Sequence, residues 1–266
     1  HGDLVQTPAG EWWMVVLASR PQGGMFRNLG RETFLVPVHW EEDWPVFCRG
    51  QGRIALSDIP PDLPACPLPP VPACSHFDEP VLAPWWVTLR TPRETFYSLN
   101  DRPGHLRLFL RPATTGELAN PSFLGRRQLH HDWQALASLD FTPLDRHDCA
   151  GLVLIQSNRW HYRLEKALAA DNEVRLVRVA DGQETILARQ TTTGGALVLG
   201  IWARGQSLRF WFRDSRGHVH VLADGVDATM LSTDVAGGFV GCLIGLSACG
   251  KRGNHADFDW FEYQGC

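Results

Sequence analysis

Residues 11–19 read EWWMVVLAS. As a strand, this stretch places Trp12, Met14 and Val16 on one face and Trp13, Val15 and Leu17 on the other, so both faces are apolar. A strand apolar on both faces belongs inside a stack of sheets and not on a free-standing one. Its neighbours are strand-like as well: DLVQT at 3–7, ETFLVPVHW at 32–40 and a short WPVF at 44–47. The segments between them, TPAG, the glycine-rich PQGGMFRNLG and EED, carry turn chemistry. Four antiparallel strands with two apolar faces describe one propeller blade, and a blade needs neighbours to bury it.

The composition changes at residues 59–80, IPPDLPACPLPPVPACSHFDEP. Proline at that density forbids a helix or a central strand and favours extended polyproline II, a linker or a strap lying over a domain surface. Beyond it the pattern is all-β again. HLRLFLRP, WQALASLDFTP, AGLVLIQS, HYRLEKALA, EVRLVRVA, ALVLGIWARG, SLRFWFRD, VHVLADG, VGCLIGLSA and ADFDWFEY are short runs at near-regular spacing, parted by turns such as DG, RG and SRGH. Such a series makes a β-sandwich of concanavalin-like or jelly-roll type. The expected organisation is a blade over 1–58, a proline-rich strap over 59–82 and a sandwich over 83–266.

The chain has 266 residues and a formal net charge of −4. Mild acidity without a lysine or arginine run argues against nucleic acid and anionic membranes as partners. No apolar run approaches the roughly 20 residues that a membrane span needs. The start, HGDLVQTPAGEWW, has neither the basic n-region nor the apolar h-region of a signal peptide, and the sequence is expected to begin inside a domain. Eleven tryptophans and 25 glycines suit either a β-rich protein that handles flat ligands or simply core and turn positions. Seven cysteines show no zinc spacing. Cys66/Cys74 and Cys242/Cys249 could each close a short loop in an oxidising compartment, which leans the localisation towards extracellular.

HGDLV, EWWMVVLASRP and NLGRETFLVPVHWEEDWPVF together resemble the last blade of family 43 glycoside hydrolases, β-xylosidases and α-L-arabinofuranosidases built on a five-bladed propeller. RPGHLRLFLRP, NPSFLGRRQ, DVAGGFVG and ADFDWFEY resemble the C-terminal module attached to many of these enzymes. The resemblance implies inverting hydrolysis of xylan or arabinoxylan linkages, with two carboxyls roughly 6.5–9.5 Å apart to admit a water. It places those carboxylates on earlier blades, so this chain has none of them and by itself is expected to be inactive. Its partners would be the missing blades and a xylan- or arabinoxylan-derived oligosaccharide.

The resemblance also gives roles to three residues. Arg31 matches an arginine that reaches the sugar or the catalytic carboxylates, a task suited to a fixed, permanently charged fork. His1 matches a histidine near the propeller axis, associated through solvent with a central cation. Phe239, in the glycine-flanked AGGFVG, matches a phenylalanine carried to the active-site mouth, with core packing as its alternative.

Other constellations read independently of the resemblance. Glu32 is expected as a structural ion-pair partner and not an acid catalyst. Asp257 and Asp259 alternate with apolar residues and share one strand face, where paired oxygens could help bind a calcium ion or simply form a polar outer face. Among the tryptophans, Trp160 beside a turn is the best candidate for stacking on a sugar ring. A stand-alone carbohydrate-binding or structural module is the alternative to the enzyme reading.

Overall fold

In the computed structural model, which describes residues 1–266, β1 (Gly2–Gln6), β2 (Trp12–Ala18), β3 (Glu32–Glu41) and β4 (Trp44–Val46) form an antiparallel meander in chain order. Trp13 lies opposite Val5 on one side and Pro37 on the other, and Val15 lies opposite Leu35. The turn from β3 to β4 needs two left-handed residues, and Glu42 and Asp43 take φ of 48° and 65°. A two-residue loop of this kind has the twist of the strands that it joins. Trp13, Val36 and Val38 are buried, while Val5, Val15, Leu17 and Leu35, all on the face of Trp13, remain exposed. Apolar side chains aligned on an open sheet face are what a blade presents to the next one.

The chain divides into two compact units, His1–Arg20 with Gly30–Val71, and Pro21–Leu29 with Pro72–Cys266. The glycine-rich connection between β2 and β3 therefore groups with the second unit. That unit is a sandwich. One of its sheets contains β8 (Ser122–Arg127), β10 (Cys149–Ser157), β11 (Trp160–Leu168), β12 (Asn172–Ala180), β13 (Gln183–Thr191) and β17 (Leu243–Cys249), in the spatial order β13-β12-β11-β10-β17-β8. The other is built from β6 (Tyr97–Ser98), β7 (Leu106–Phe109), β9 (Trp133–Asp140), β14 (Leu197–Arg204), β15 (Ser207–Arg213), β16 (Val219–Asp227) and β18 (His255–Gly265), in the order β16-β15-β14-β9-β18-β7-β6. The end of the proline strap joins this second sheet, since β5 (Cys74–Ser75) pairs with Phe261 and Glu262 of β18.

The core lies between the sheets, where Leu152, Leu154, Leu164, Ile201, Phe258 and Phe261 belong to one buried cluster. Tyr162 and Phe210 meet across it with ring centroids 5.5 Å apart. The six-stranded sheet is covered on its outer face too, for β10 and β11 are buried at every position but their ends. Charged groups sit among the inward-facing residues too, and the Arg126 guanidinium of β8 lies 5.1 Å from the Tyr263 ring centroid. Lys166 is buried, and its ammonium donates to the carbonyls of Phe141 at 2.6 Å and Gly195 at 3.1 Å, while burial pushes its pKa down.

The spacing-based pairing of Cys242 with Cys249 does not occur. Cys242 immediately precedes β17 and Cys249 ends it, so seven extended residue steps, roughly 23 Å of strand, separate them. No helix is long and apolar enough to cross a membrane.

Candidate functional site

Arg31 stands at the start of β3, directly after Gly30, which takes a left-handed φ of 70°. It is exposed. The neighbouring Glu32 is engaged elsewhere: both its oxygens accept from Arg20, at 2.8 Å from Nε and 2.7 Å from Nη2. Ala18 and Glu32 are paired across β2 and β3, so this bidentate bridge clamps the loop end of the hairpin, at the base of the 19–31 connection. The expected structural role of Glu32 is what the geometry gives it, with Arg20 as its partner. His1 precedes β1 and is exposed, and its carbonyl accepts from the Leu17 amide at 3.3 Å.

Phe239 occupies the loop between α1 (Thr233–Ala236) and β17, preceded by Gly237 and Gly238 at φ of 80° and 76°. The side chain is 69% exposed, which removes core packing as its explanation. Its loop is braced against the 21–29 connection. Arg27 forms an ion pair with Asp234, and its amide also donates to the Asp234 carboxylate at 2.9 Å. The Cys242 amide donates to the Asn28 carbonyl at 3.0 Å. A Cβ on Gly241 would lie 2.2 Å from the Leu29 carbonyl oxygen, so only glycine permits this approach. On the other side, Gln156 Nε2 donates to the Gly237 carbonyl at 3.0 Å.

Asn28 is the buried hub of this arrangement. Its Nδ2 donates to the Ala228 carbonyl at 2.7 Å, and its Oδ1 accepts from Gln206 Nε2 at 2.8 Å. Asn28→Ala should lower the stability of the sandwich unit by about 1–3 kcal/mol, because two buried groups lose their partners. Urea denaturation measures this, and a loss well below that range would show that water replaces the amide.

The pair Asp257 and Asp259 does not fit calcium. Asp257 is buried and accepts from Arg107 at 2.7 and 2.8 Å and from Arg102 at 3.0 Å. Burial pushes its pKa up, but the two guanidiniums outweigh this and leave it below the ordinary carboxylate range. A carboxylate whose charge is already met by two guanidiniums has little field left to offer a calcium ion, which would also meet their repulsion. Asp259 is exposed, and no group of three or more His, Cys, Asp or Glu side chains is arranged to hold a metal.

The tryptophans are mostly structural. Trp86 and Trp133 lie in the core, and Trp160 packs against it. Trp202 is flanked by the guanidiniums of Arg204 and Arg209, 5.3 and 5.4 Å from the ring centroid. Trp211 lies flat over Gly200, where a Cβ would come within 2.2 Å of the indole.

A constellation with no clear signal in the sequence covers the outer face of the six-stranded sheet. Glu165 is buried, with Arg163 Nε 3.1 Å and Arg175 Nε 2.8 Å from its oxygens. Arg163 also donates to Glu184 at 2.8 Å. His161, fully buried, is bonded through Nε2 to Thr115 Oγ1 at 3.0 Å and through Nδ1 to the Ser157 carbonyl at 3.3 Å.

A blade-like sheet followed by a strap and a two-sheet sandwich defines an all-β protein of the propeller-plus-sandwich class. Residues 74–264 match the family described as the beta xylosidase C-terminal concanavalin A-like domain, and residues 1–45 match glycosyl hydrolases family 43. The chain belongs to this xylosidase-type C-terminal domain family of the family 43 glycoside hydrolases.

It is 38% identical to a xylosidase/arabinosidase of Butyrivibrio fibrisolvens, over 99% of this chain and 52% of that protein. To the non-reducing end α-L-arabinofuranosidase BoGH43B of Bacteroides ovatus it is 33% identical, over 99% of this chain and 50% of that one. The solved structure of the Bacteroides ovatus xyloglucan-locus GH43B superposes with a TM-score of 0.94 at 32% identity, covering 100% of this chain and 53% of the other. Xylan β-1,4-xylosidase from Bacillus halodurans C-125 gives 0.93 at 28% identity, covering 99% and 53%. The chain spans about half the length of the curated relatives that it matches.

Proposed function

We propose that this chain acts as the C-terminal portion of an inverting xylosidase or α-L-arabinofuranosidase that releases sugars from xylan- or arabinoxylan-derived oligosaccharides. The observation that supports this most is colinearity: blade, strap and sandwich align in one order with a xylosidase/arabinosidase across 99% of the chain. In this reading the acid and base carboxylates belong to preceding blades, in the same or a companion chain. The sandwich completes the enzyme, His1 stands near the propeller axis, and Phe239 contributes an exposed ring to the sugar-binding region.

Arg31 is the residue of this chain that would touch the sugar or its catalytic carboxylates. A guanidinium suits that task because it holds two oxygens in a fixed fork and stays charged at any working pH. In a protein that includes the preceding blades, Arg31→Ala should lower kcat/KM on nitrophenyl xyloside or arabinofuranoside by roughly tenfold to a hundredfold, the loss of one or two charge-assisted hydrogen bonds. Arg31→Lys should recover only part of this. Near-normal kcat/KM in the alanine variant would remove Arg31 from the site. Xylan binding with no turnover of either glycoside by the longer protein would instead make the chain a carbohydrate-binding module.

A further inference from the structure

Cys149 opens β10, Cys249 closes β17, and the two residues are partners in the antiparallel ladder. Partners in such a ladder share a sheet face, with Cα atoms about 4.5–5.5 Å apart. A disulfide spans roughly 4.4–6.8 Å between Cα atoms, so no strand has to move to join them. Each thiol shifts the proton affinity of the other, and the Glu165 carboxylate lines the same small space. Cys249 Sγ is 3.6 Å from the Pro112 carbonyl that accepts from it. Both cysteines are half-buried free thiols. Against them lies a cavity of about 30 Å³, whose lining includes Thr115, Cys149, Arg163, Glu165, Ser247 and Cys249. That is the volume of roughly one water molecule, and hydrogen peroxide is scarcely larger.

We propose that Cys149 and Cys249 are a peroxide-reactive dithiol that closes into a cross-strand disulfide fastening β10 to β17. Cys249 is the attacking sulfur. The Cys149 thiol beside it outweighs the effects of burial and of the Glu165 charge and holds the Cys249 pKa below its ordinary value, with Arg163 adding a smaller downward push. The Cys149 pKa is pushed well up by the neighbouring Cys249 and by burial. The contrast is Cys242, fully buried, with its pKa pushed up to about 12 by desolvation and its Sγ bonded to the Leu231 carbonyl. A thiol in that setting is inert.

The chemistry balances with hydrogen peroxide as the only co-reactant. The Cys249 thiolate attacks one peroxide oxygen, the O–O bond breaks, and the departing hydroxide leaves as water with the proton that Cys249 gave up. The Cys249 sulfenic acid is then attacked by the Cys149 sulfur. The S–S bond forms, the S–O bond breaks, and hydroxide leaves with the Cys149 proton as a second water. Two thiols lose two electrons and the peroxide gains them.

The test is to treat the 266-residue chain with a slight excess of hydrogen peroxide, alkylate the remaining thiols, digest without reductant and map the cysteines by mass spectrometry. The expected product is one cross-linked peptide pair containing Cys149 and Cys249, lighter by two hydrogens. The melting temperature should rise by roughly 10 °C, as a bridge closing so long a loop predicts for a unit of this size, and fall back on reduction. In Cys149→Ser, dimedone should label Cys249 as the trapped sulfenic acid. Alkylation of both cysteines after treatment, or their bridging to other cysteines instead, would overturn the proposal. So would a Cys249 sulfinic acid beside an unoxidised Cys149. If Cys149→Ser fails to fold, the map of the unaltered chain decides alone.

Discussion

Glu165→Ala is expected to destabilise the sandwich by about 3–5 kcal/mol, the penalty for breaking a buried ion pair by removing one partner. Glu165 is 2% exposed and lies between Arg163 and Arg175, whose side chains are 10% and 19% exposed. Without the carboxylate, two largely desolvated guanidiniums face each other on one sheet surface. Arg163 keeps Glu184, but that carboxylate is itself half in solvent and compensates poorly. The loss should therefore come from the stranded cations and not from the missing attraction. A second variant separates these. Glu165→Leu with Arg163→Met and Arg175→Met removes every charge of the triad and should recover most of the stability, since apolar replacement of a buried triad is often neutral or stabilising. Urea denaturation followed by the fluorescence of the buried Trp133 reports both. A loss below about 1 kcal/mol for Glu165→Ala would mean that water enters and solvates the arginines.

The triad was hidden in the sequence for a physical reason. HYRLEKALA alternates as a strand with one polar face, and polar faces usually point to solvent. Whether the outer face of a sheet is covered depends on distant segments, here the 112–120 stretch that brings Thr115 onto His161. Strand β13 escaped notice for the opposite reason. It is an edge strand exposed at nearly every position, so QETILARQT carries no alternation to read. Its pairing with β12 is made by the backbone, which leaves no mark on residue type.

Other elements were legible because the physics is local. The alternation in EWWMVVLAS marked a strand, and β2 is an inner strand of a four-stranded sheet, with Val5, Val15, Leu17 and Leu35 aligned on one open face. The EED turn became a tight two-residue hairpin. The exposed positions of Arg31 and Phe239 agree with reach towards a ligand, although their roles stand on family resemblance. Asp257 shows where local reasoning stops. Its spacing from Asp259 suggested a shared polar face, but the ladder slips between Phe258 and Phe261, and β7 puts Arg107 directly opposite the buried Asp257 while Asp259 is exposed. Cys249 shows the same limit, since its partner lies on a strand far away in sequence.

The stability of the sandwich is expected to fall by about 3 kcal/mol between pH 7 and pH 4 because of His161 alone. Burial pushes the pKa of this imidazole down to about 4, with the Arg163 charge adding to the effect. Arg163 Nη1 sits 3.4 Å from Nε2, where a second N–H on a charged ring would meet a cation, and Glu165 on the same face opposes this only in part. In the unfolded chain the group titrates near its ordinary value of about 6.5. The folded pKa is depressed, so the contribution of His161 is complete above pH 6.5. It declines as pH falls through the window down to about 4, because only the unfolded chain takes up the proton there. The slope in that window is about 1.4 kcal/mol per pH unit. Glu165 is also held below its ordinary pKa, by Arg163 and Arg175 against the effect of burial, so its own contribution starts to be lost as pH falls into the ordinary glutamate range near 4.5, where the unfolded chain takes up the proton. The interval from pH 6.5 to 4.5 therefore belongs to the histidine. His161→Gln keeps a donor and an acceptor but cannot titrate, and it should flatten the pH dependence there by about one proton, whatever it does to stability at pH 7. If the slope were unchanged in His161→Gln, the imidazole would be taking up its proton in the folded protein, and the cover that Thr115 and its segment provide would have to open to let it do so.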